Sequence, residues 1–213
     1  MTASRNTDVS SRKEPRQARS NDLVAAVLDA AVQVLMAEGA HRFTTARVAE
    51  RAGVSVGSLY QYFPNKAAIL FRLQSDEWRR TMQLLCGILE DTATPPLERL
   101  RTLVHAFILS ECEEAQIRLA LSDAAPLYRD APEAIEARAA NAHVFRTFMQ
   151  ESLPQAAEDV RLLAGDLIKT TLRHSGSHFS ETPRQPAEIA AYADALADML
   201  CAYLERLMRT TGA

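Results

Sequence analysis

Residues 44–66 read TTARVAERAGVSVGSLYQYFPNK, and this run decides the fold. Thr44 or Thr45 can cap a short helix, because a hydroxyl accepts from the unpaired amides of a first turn. The inner face of that helix is Val48, Ala49 and Ala52. Gly53 follows where the chain must take a positive φ to leave the helix. Ser55 caps the next helix, with Val54 before the cap and Leu59 one turn in, placed to pack together across it. Leu59 and Phe63 lie one turn apart and point to the core, leaving Ser58, Gln61 and Tyr62 on other faces with Tyr60 between. Helix, glycine turn and short helix are the geometry that lays a recognition helix in a DNA major groove. The second helix is expected to span about eight residues, or about 12 Å, close to the width of that groove.

Two details favour DNA over mere packing. Gly57, near the start of the second helix, costs about 1 kcal/mol against alanine, yet it lets a phosphate or base edge approach the backbone closely. Asn65 and Lys66 set a cap and a cation at the start of the following helix, where unpaired amides favour a phosphate. Spacing alone leaves open a helical hairpin in which Gly57 and the tyrosines are only structural.

Helical patterns extend from this run in both directions. In 21–38, Val24, Val27, Leu28, Ala31, Val34 and Leu35 recur three and four apart, and Gly39 stops the helix. A long pattern after Asn65 carries Leu70, Leu73, Trp78, Met82, Leu85 and Leu89. Pro95-Pro96 ends it and opens a helix with Leu97, Leu100, Leu103, Val104, Phe107 and Ile108. Shorter patterns cover Ile117–Ala124 and a stretch from Pro132 through Ile135, Val144, Phe145, Phe148 and Met149. Pro154 precedes a helix with Val160, Leu163, Leu167 and Ile168, and the last helix runs from about Ala187 to Leu207. Gly176, two prolines and several hydroxyl residues make 174–185 an expected loop. No period-two strand run competes, so the fold class is all-α, with about nine helices. The expected domains are a disordered arm over 1–19, a helix-turn-helix domain over 20–66 and a helical body over 67–213.

Composition narrows the function classes. The chain is 47% hydrophobic and 24% charged, ordinary for a globular protein. No uninterrupted apolar run approaches the ~18 residues needed to span a bilayer. The first residues are polar and basic rather than a signal peptide, so a cytoplasmic protein away from the membrane is expected. Cys86, Cys112 and Cys201 are too few and too scattered for a disulfide framework. Residues 1–70 hold 9 Lys+Arg and 6 Asp+Glu, a charge of +3, while the remainder holds 15 and 21, a charge of -6. A basic head on an acidic body suits contact with a polyanion at one end only.

The run from Thr44 to Lys66 resembles the DNA-binding domain of the tetracycline-repressor (TetR) family. The match reads Thr-x-x-x-Val-Ala-x-x-Ala-Gly-Val-Ser-x-Gly-Ser-Leu-Tyr-x-Tyr-Phe-x-Asn-Lys, reaches on to Ile69-Leu70 and back to Gly39, and covers about residues 22–70. Ala67 departs from it, standing where the family often has a glutamate. The resemblance implies a bacterial repressor that binds an inverted-repeat operator as a homodimer and is released by a small molecule. It implies that Thr44, Thr45 and Arg47 open the motif near phosphate. Ser55, Val56, Gly57, Ser58 and Gln61 would line the recognition surface, where Gln can pair with adenine and Val can meet a thymine methyl. Tyr60, Tyr62 and Lys66 would reach phosphates.

In the body, Ile189, Tyr192, Leu196, Met199, Leu200 and Tyr203 form a seam at near-heptad spacing, and Val160, Leu163 and Leu167 form a similar stripe. Taken alone such stripes read as intrachain core; the resemblance implies that they pair two subunits through a four-helix bundle. The effector is expected among Trp78, Met82, Phe107, Phe145, Phe148 and Met149, faces with few charges that suit an apolar or aromatic molecule. His174, His178 and Glu181 carry metal-like spacing but fall in the expected loop, so neither metal nor cofactor is expected. The cysteines do not read as redox sensors. No nucleophile elbow, P-loop or dinucleotide glycine pattern appears, so an enzyme reading has no residues to stand on. A ligand-sensing repressor and a DNA-binding dimer answering to a protein partner both fit the remaining signals. An enclosed apolar cavity would favour the first.

Overall fold

A computed structural model describes residues 18–124 and 142–211. The expected arm therefore lies outside the described residues except at its end, as does the helix start at Pro132. Among the described residues there are nine helices and no strands. The chain divides into two compact units, with one boundary inside a helix, between Trp78 and Arg79.

The first unit is the head. It contains α1 (Ala18–Arg42), α2 (Thr45–Arg51), α3 (Val56–Tyr60), the first half of α4 (Lys66–Glu90) and nearly all of α6 (Ala115–Ala124). Val27, Ala31 and Leu35 of α1 are 0–1% exposed, facing Val48, Ala49, Leu59 and Phe63 in one core. Gly39 breaks α1 with φ 73° and ψ 170°, as its place in the sequence leads one to expect. Residues Ser20–Arg42 are long and apolar enough to cross a membrane by length and composition; the buried side chains of α1 show what that apolarity does here.

The head differs from the expected 20–66 domain in what completes its core. Ile69, Leu70 and Leu73 of α4 are buried in it, and so is Leu121 of α6, at 0% exposure. Full burial of one leucine is worth about 1.5–3 kcal/mol, so α6 is a structural member of the head. Beside it, Arg118 Nη2 of α6 lies 2.8 Å from Glu77 Oε1 of α4, whose carboxylate is nearly buried.

The second unit holds the rest of α4 with α5 (Pro96–Glu113), α7 (Ala142–Ser152), α8 (Glu158–Phe179) and α9 (Pro186–Thr211). Leu100, Val104 and Ile108 of α5 share a core with Ala193, Ala197 and Leu204 of α9. Arg99 is buried beside them. Its Nη2 donates to Glu151 at 2.8 Å, and its guanidinium lies over the Phe148 ring at 5.4 Å. The expected loop at 174–185 is corrected: α8 continues to Phe179 and only the last six of those residues turn. Gly176 is there for packing. A Cβ at that position would fall 2.7 Å from a Phe107 ring carbon and 2.9 Å from Glu111 Cγ, so a larger residue would force those side chains of α5 to shift.

Candidate nucleic-acid interface

The head presents α3 through a chain of caps. Thr44 Oγ1 accepts from the Arg47 amide at 3.3 Å and starts α2. Gly53 takes φ +67° to end the turn. Ser55 Oγ then accepts from the Ser58 amide at 3.0 Å, and the two serine hydroxyls share a 2.8 Å hydrogen bond. Asn65 Oδ1 accepts from the Ala68 amide at 2.9 Å at the start of α4. Each cap satisfies an amide that a first turn leaves unpaired.

Leu59 and Phe63, at 0% and 1% exposure, anchor this segment in the core. Ser55, Val56, Gly57, Tyr60 and Gln61 are left exposed, with Ser58 half-buried. Tyr60 OH and Thr45 Oγ1 share a 3.1 Å hydrogen bond, tying the end of α3 to the start of α2. Tyr62 differs from the expectation: it is 7% exposed and belongs to the core. The helix ends at Tyr60, shorter than the eight residues expected, and the turn that follows carries Tyr62 inward. Gly57 has ample room, since an added Cβ would meet only Ser55 Oγ, at 3.7 Å.

The cations beside α3 are not equivalent. Arg47 donates from Nη1 to Glu38, and Arg42 Nε lies 4.0 Å from the same carboxylate. Arg51 donates from Nε to Gln33 at 2.7 Å. Lys66, half-buried at the start of α4, has no ion-pair partner among the described residues.

The body residues singled out in the sequence divide. Trp78, half-buried, belongs to the head, whereas Met82, Phe107, Phe145, Phe148 and Met149 belong to the second unit. Phe148 and Met149 are core, and Phe107 packs at Gly176. Phe145 and Met149 also line a cavity of about 300 Å³ between α7 and α8. Its other walls include Arg146, Glu158, Arg161 and Lys169, with the Lys169 ammonium 5.5 Å over the Phe145 ring. The charge on these walls departs from the apolar pocket expected.

The two interface stripes divide as well. Leu163, Leu167 and Met199 are exposed, at 69%, 47% and 53%, and Val160, Ile189 and Tyr203 are half-buried. Leu196 and Leu200 are corrected: at 7% and 3% exposure they face α5 in the subunit's own core. Tyr192 stacks on Phe179 at 3.9 Å within the subunit. The expected loop also hid a helical pair, because His174 and His178 lie one turn apart on α8. His174 Nδ1 is bonded to the Thr170 carbonyl at 2.9 Å, and His178 lies 3.4 Å from Glu181. Among the described residues no three His, Cys, Asp or Glu side chains are grouped to hold a metal ion.

The model of the tetracyclin repressor-like C-terminal domain matches residues 95–207, and that of the tetR family of bacterial regulatory proteins matches residues 27–73. The chain belongs to the tetR family. It is thus a DNA-binding transcriptional regulator. Nucleoid occlusion factor SlmA of Vibrio campbellii is 37% identical over 83 residues, 38% of this chain and 42% of that protein. The fatty acid metabolism regulator protein of Bacillus subtilis is 32% identical over 68 residues, 32% of this chain and 35% of that one. The chain therefore matches less than half the length of these curated relatives. Solved tetR-like structures extend the fold match. FadR of Bacillus halodurans, a fatty acid degradation regulator, gives a TM-score of 0.65 at 20% identity, covering 88% of this chain and 97% of its own. FadR of Bacillus subtilis in complex with stearoyl-CoA gives 0.65 at 19%, covering 83% and 97%.

Sequence reasoning missed three features of this tetR-family chain. These are the place of α6 in the head, the pairing of Arg47 with Glu38 and the charged walls around Phe145. Only the second had a local signal, since Glu38, Arg42 and Arg47 sit around one glycine turn.

Proposed function

We propose that this chain is a cytoplasmic repressor that binds an inverted-repeat operator as a homodimer and leaves it when a small molecule binds the second unit. The observation that carries this is the surface of α3, where buried Leu59 and Phe63 hold exposed Ser55, Val56, Gly57 and Gln61 on a capped scaffold. In this reading Gln61 and Val56 meet base edges, while Thr44, Thr45, Tyr60, Arg47 and Lys66 set the phosphate register. Leu163, Leu167 and Met199, with half-buried Val160, Ile189 and Tyr203, pair the subunits. Such exposed apolar side chains on two long helices mark a surface that another chain covers.

The effector is an amphiphile with an apolar or aromatic part and an anionic group. Phe145 and Met149 offer apolar surface in the 300 Å³ cavity, and Arg146 and Lys169 offer the counter-charges. Likeness to the stearoyl-CoA complex makes long-chain acyl-CoA the first compound to try. Sequencing the genomic fragments that the purified protein retains will give the operator. Acyl-CoA thioesters added to the complex are then expected to release it. A protein that retains no particular fragment would overturn the repressor reading. One that holds its operator against every amphiphile would favour control by a protein partner.

A further inference from the structure

The start of α2 adjoins the exposed end of α3, since Thr45 Oγ1 and Tyr60 OH share a 3.1 Å hydrogen bond. Arg47 lies two residues further along, with its amide fixed by the Thr44 cap. Its side chain is already engaged. Gly39 breaks α1 directly after Glu38, and the turn that follows sets this carboxylate against the first turn of α2. Arg47 Nη1 donates to Glu38, and also to the Arg42 carbonyl at 3.3 Å. Arg47 Nε and Nη2 make no hydrogen bond among the described residues. The pair lines an open groove of about 550 Å³ between α1 and α2. With the Arg47 side chain 37% exposed and that of Glu38 30%, phosphate oxygens can reach the guanidinium.

A cation placed on DNA strengthens binding by releasing condensed counterions. Arg47 cannot do this fully while Glu38 is beside it. If the guanidinium leaves for a phosphate, the abandoned carboxylate recruits a cation from solution and offsets the release. If it stays and offers only Nε and Nη2, a phosphate meets a charge that is already matched. In both cases the acid opposes the contact. Partly exposed pairs of this kind are worth about fivefold in an equilibrium at most, so the opposition is a restraint and not a block.

We infer that Glu38 is an intramolecular competitor of the DNA backbone for Arg47, and that this acid limits how tightly the head holds any duplex. This rests on the DNA-binding reading above and names a residue that sets the strength of that binding. The contest is over phosphates rather than bases, so it acts on every sequence alike.

The test uses the full chain and a random-sequence duplex. Affinity is measured by fluorescence anisotropy between roughly 50 and 200 mM salt for the unaltered chain, Glu38→Gln and Glu38→Gln/Arg47→Gln. Glutamine keeps an oxygen that can accept from Arg47 and removes only the charge. The double variant has the net charge of the unaltered chain but lacks the pair. Thermal melts by circular dichroism and size-exclusion chromatography check that all three fold and assemble alike. With two subunits in a dimer, Glu38→Gln is expected to bind roughly three- to thirtyfold tighter at the low-salt end. Its slope of log affinity against log salt should steepen by about one to two units, at about 0.9 for each arginine released to a phosphate. The double variant is expected to return to the slope of the unaltered chain. Unchanged binding by Glu38→Gln would overturn the inference while leaving the repressor reading intact. Weaker binding would also overturn it, making Glu38 a support that aims Arg47 at the backbone. A gain that persists in the double variant would come from lost acid charge alone and would overturn the part given to Arg47. Failure of all three proteins to bind any duplex would overturn both readings.

Discussion

Gly57 stands exposed in the first turn of α3, in a helical conformation with negative φ. Nothing among the described residues requires a glycine there. The added Cβ of Gly57→Ala would meet only Ser55 Oγ at 3.7 Å, an ordinary van der Waals contact. Alanine lowers the backbone entropy of the unfolded state and favours helix, worth about 0.5–1 kcal/mol. In a protein of this size such a gain raises the melting temperature by about 2–4 °C per kcal/mol. If the glycine is present so that DNA can approach the backbone, the same methyl group stands between α3 and the duplex. One misfitted base pair costs about 1–3 kcal/mol, and both subunits carry the change, so operator affinity is expected to fall by about tenfold or more. Thermal melts by circular dichroism and operator binding on the same preparations separate the two effects. A variant that melts higher and binds the operator unchanged would refute the close-approach argument. One that melts lower would refute the reading of the local packing.

Other substitutions divide the head from the body. Lys66→Ala is expected to weaken binding to all duplexes and flatten the salt slope by about one unit for each phosphate left unneutralised. Gln61→Ala should instead relax preference at particular base pairs, seen by selection from a randomised operator pool. Leu163→Asp, at a position 69% exposed in the subunit, should leave the subunit folded. In a paired interface it would bury an unpaired charge at about 3–5 kcal/mol and give monomer on size-exclusion chromatography. Leu200→Asp should unfold the second unit, because that residue is 3% exposed in its core. A folded, dimeric Leu163→Asp protein would move the interface elsewhere. Burial pushes the thiols of Cys86, Cys112 and Cys201 above their ordinary range, and Glu90 adds to the effect at Cys86. They should therefore react with iodoacetamide at pH 8 more slowly than in the denatured chain. A raised folded value also means that stability falls as pH climbs from the ordinary thiol range toward it. Alkylation at the denatured rate would contradict the burial.

The head is legible in the sequence because its signals are local. Caps at Thr44, Ser55 and Asn65, the positive φ of Gly53 and the spacing of Leu59 and Phe63 each depend on residues within a few positions. Tyr62 is misplaced because α3 ends early, and helical periodicity run past a helix end assigns the wrong face. Gly176 and the serines around it read as a loop for the same local reason. Only the tertiary approach of Phe107 and Glu111 shows that a helix can need a glycine in its interior. Leu196 and Leu200 read as interface because a heptad-like seam does not say whether α5 or a second subunit covers it. Here α5 covers them, and the exposed residues lie on the flank.

The position of α6 bears on how a signal could reach DNA. By sequence it falls in the region matched by the C-terminal family model, which begins at residue 95. By packing it belongs to the head, through Leu121 in the core and the Arg118–Glu77 ion pair on α4. Glu77 is 6% exposed, so a displacement of α6 that drew Arg118 away would take an ion-pair partner from a carboxylate in the interior. Losing one partner of such a pair costs about 3–5 kcal/mol, as much as the 1–3 kcal/mol by which effectors typically change a second site's affinity, or more. The ion pair thus favours states in which α6 and the Glu77 turn of α4 move together. Only a molecule with different affinities for the free and DNA-bound shapes can shift the balance between them.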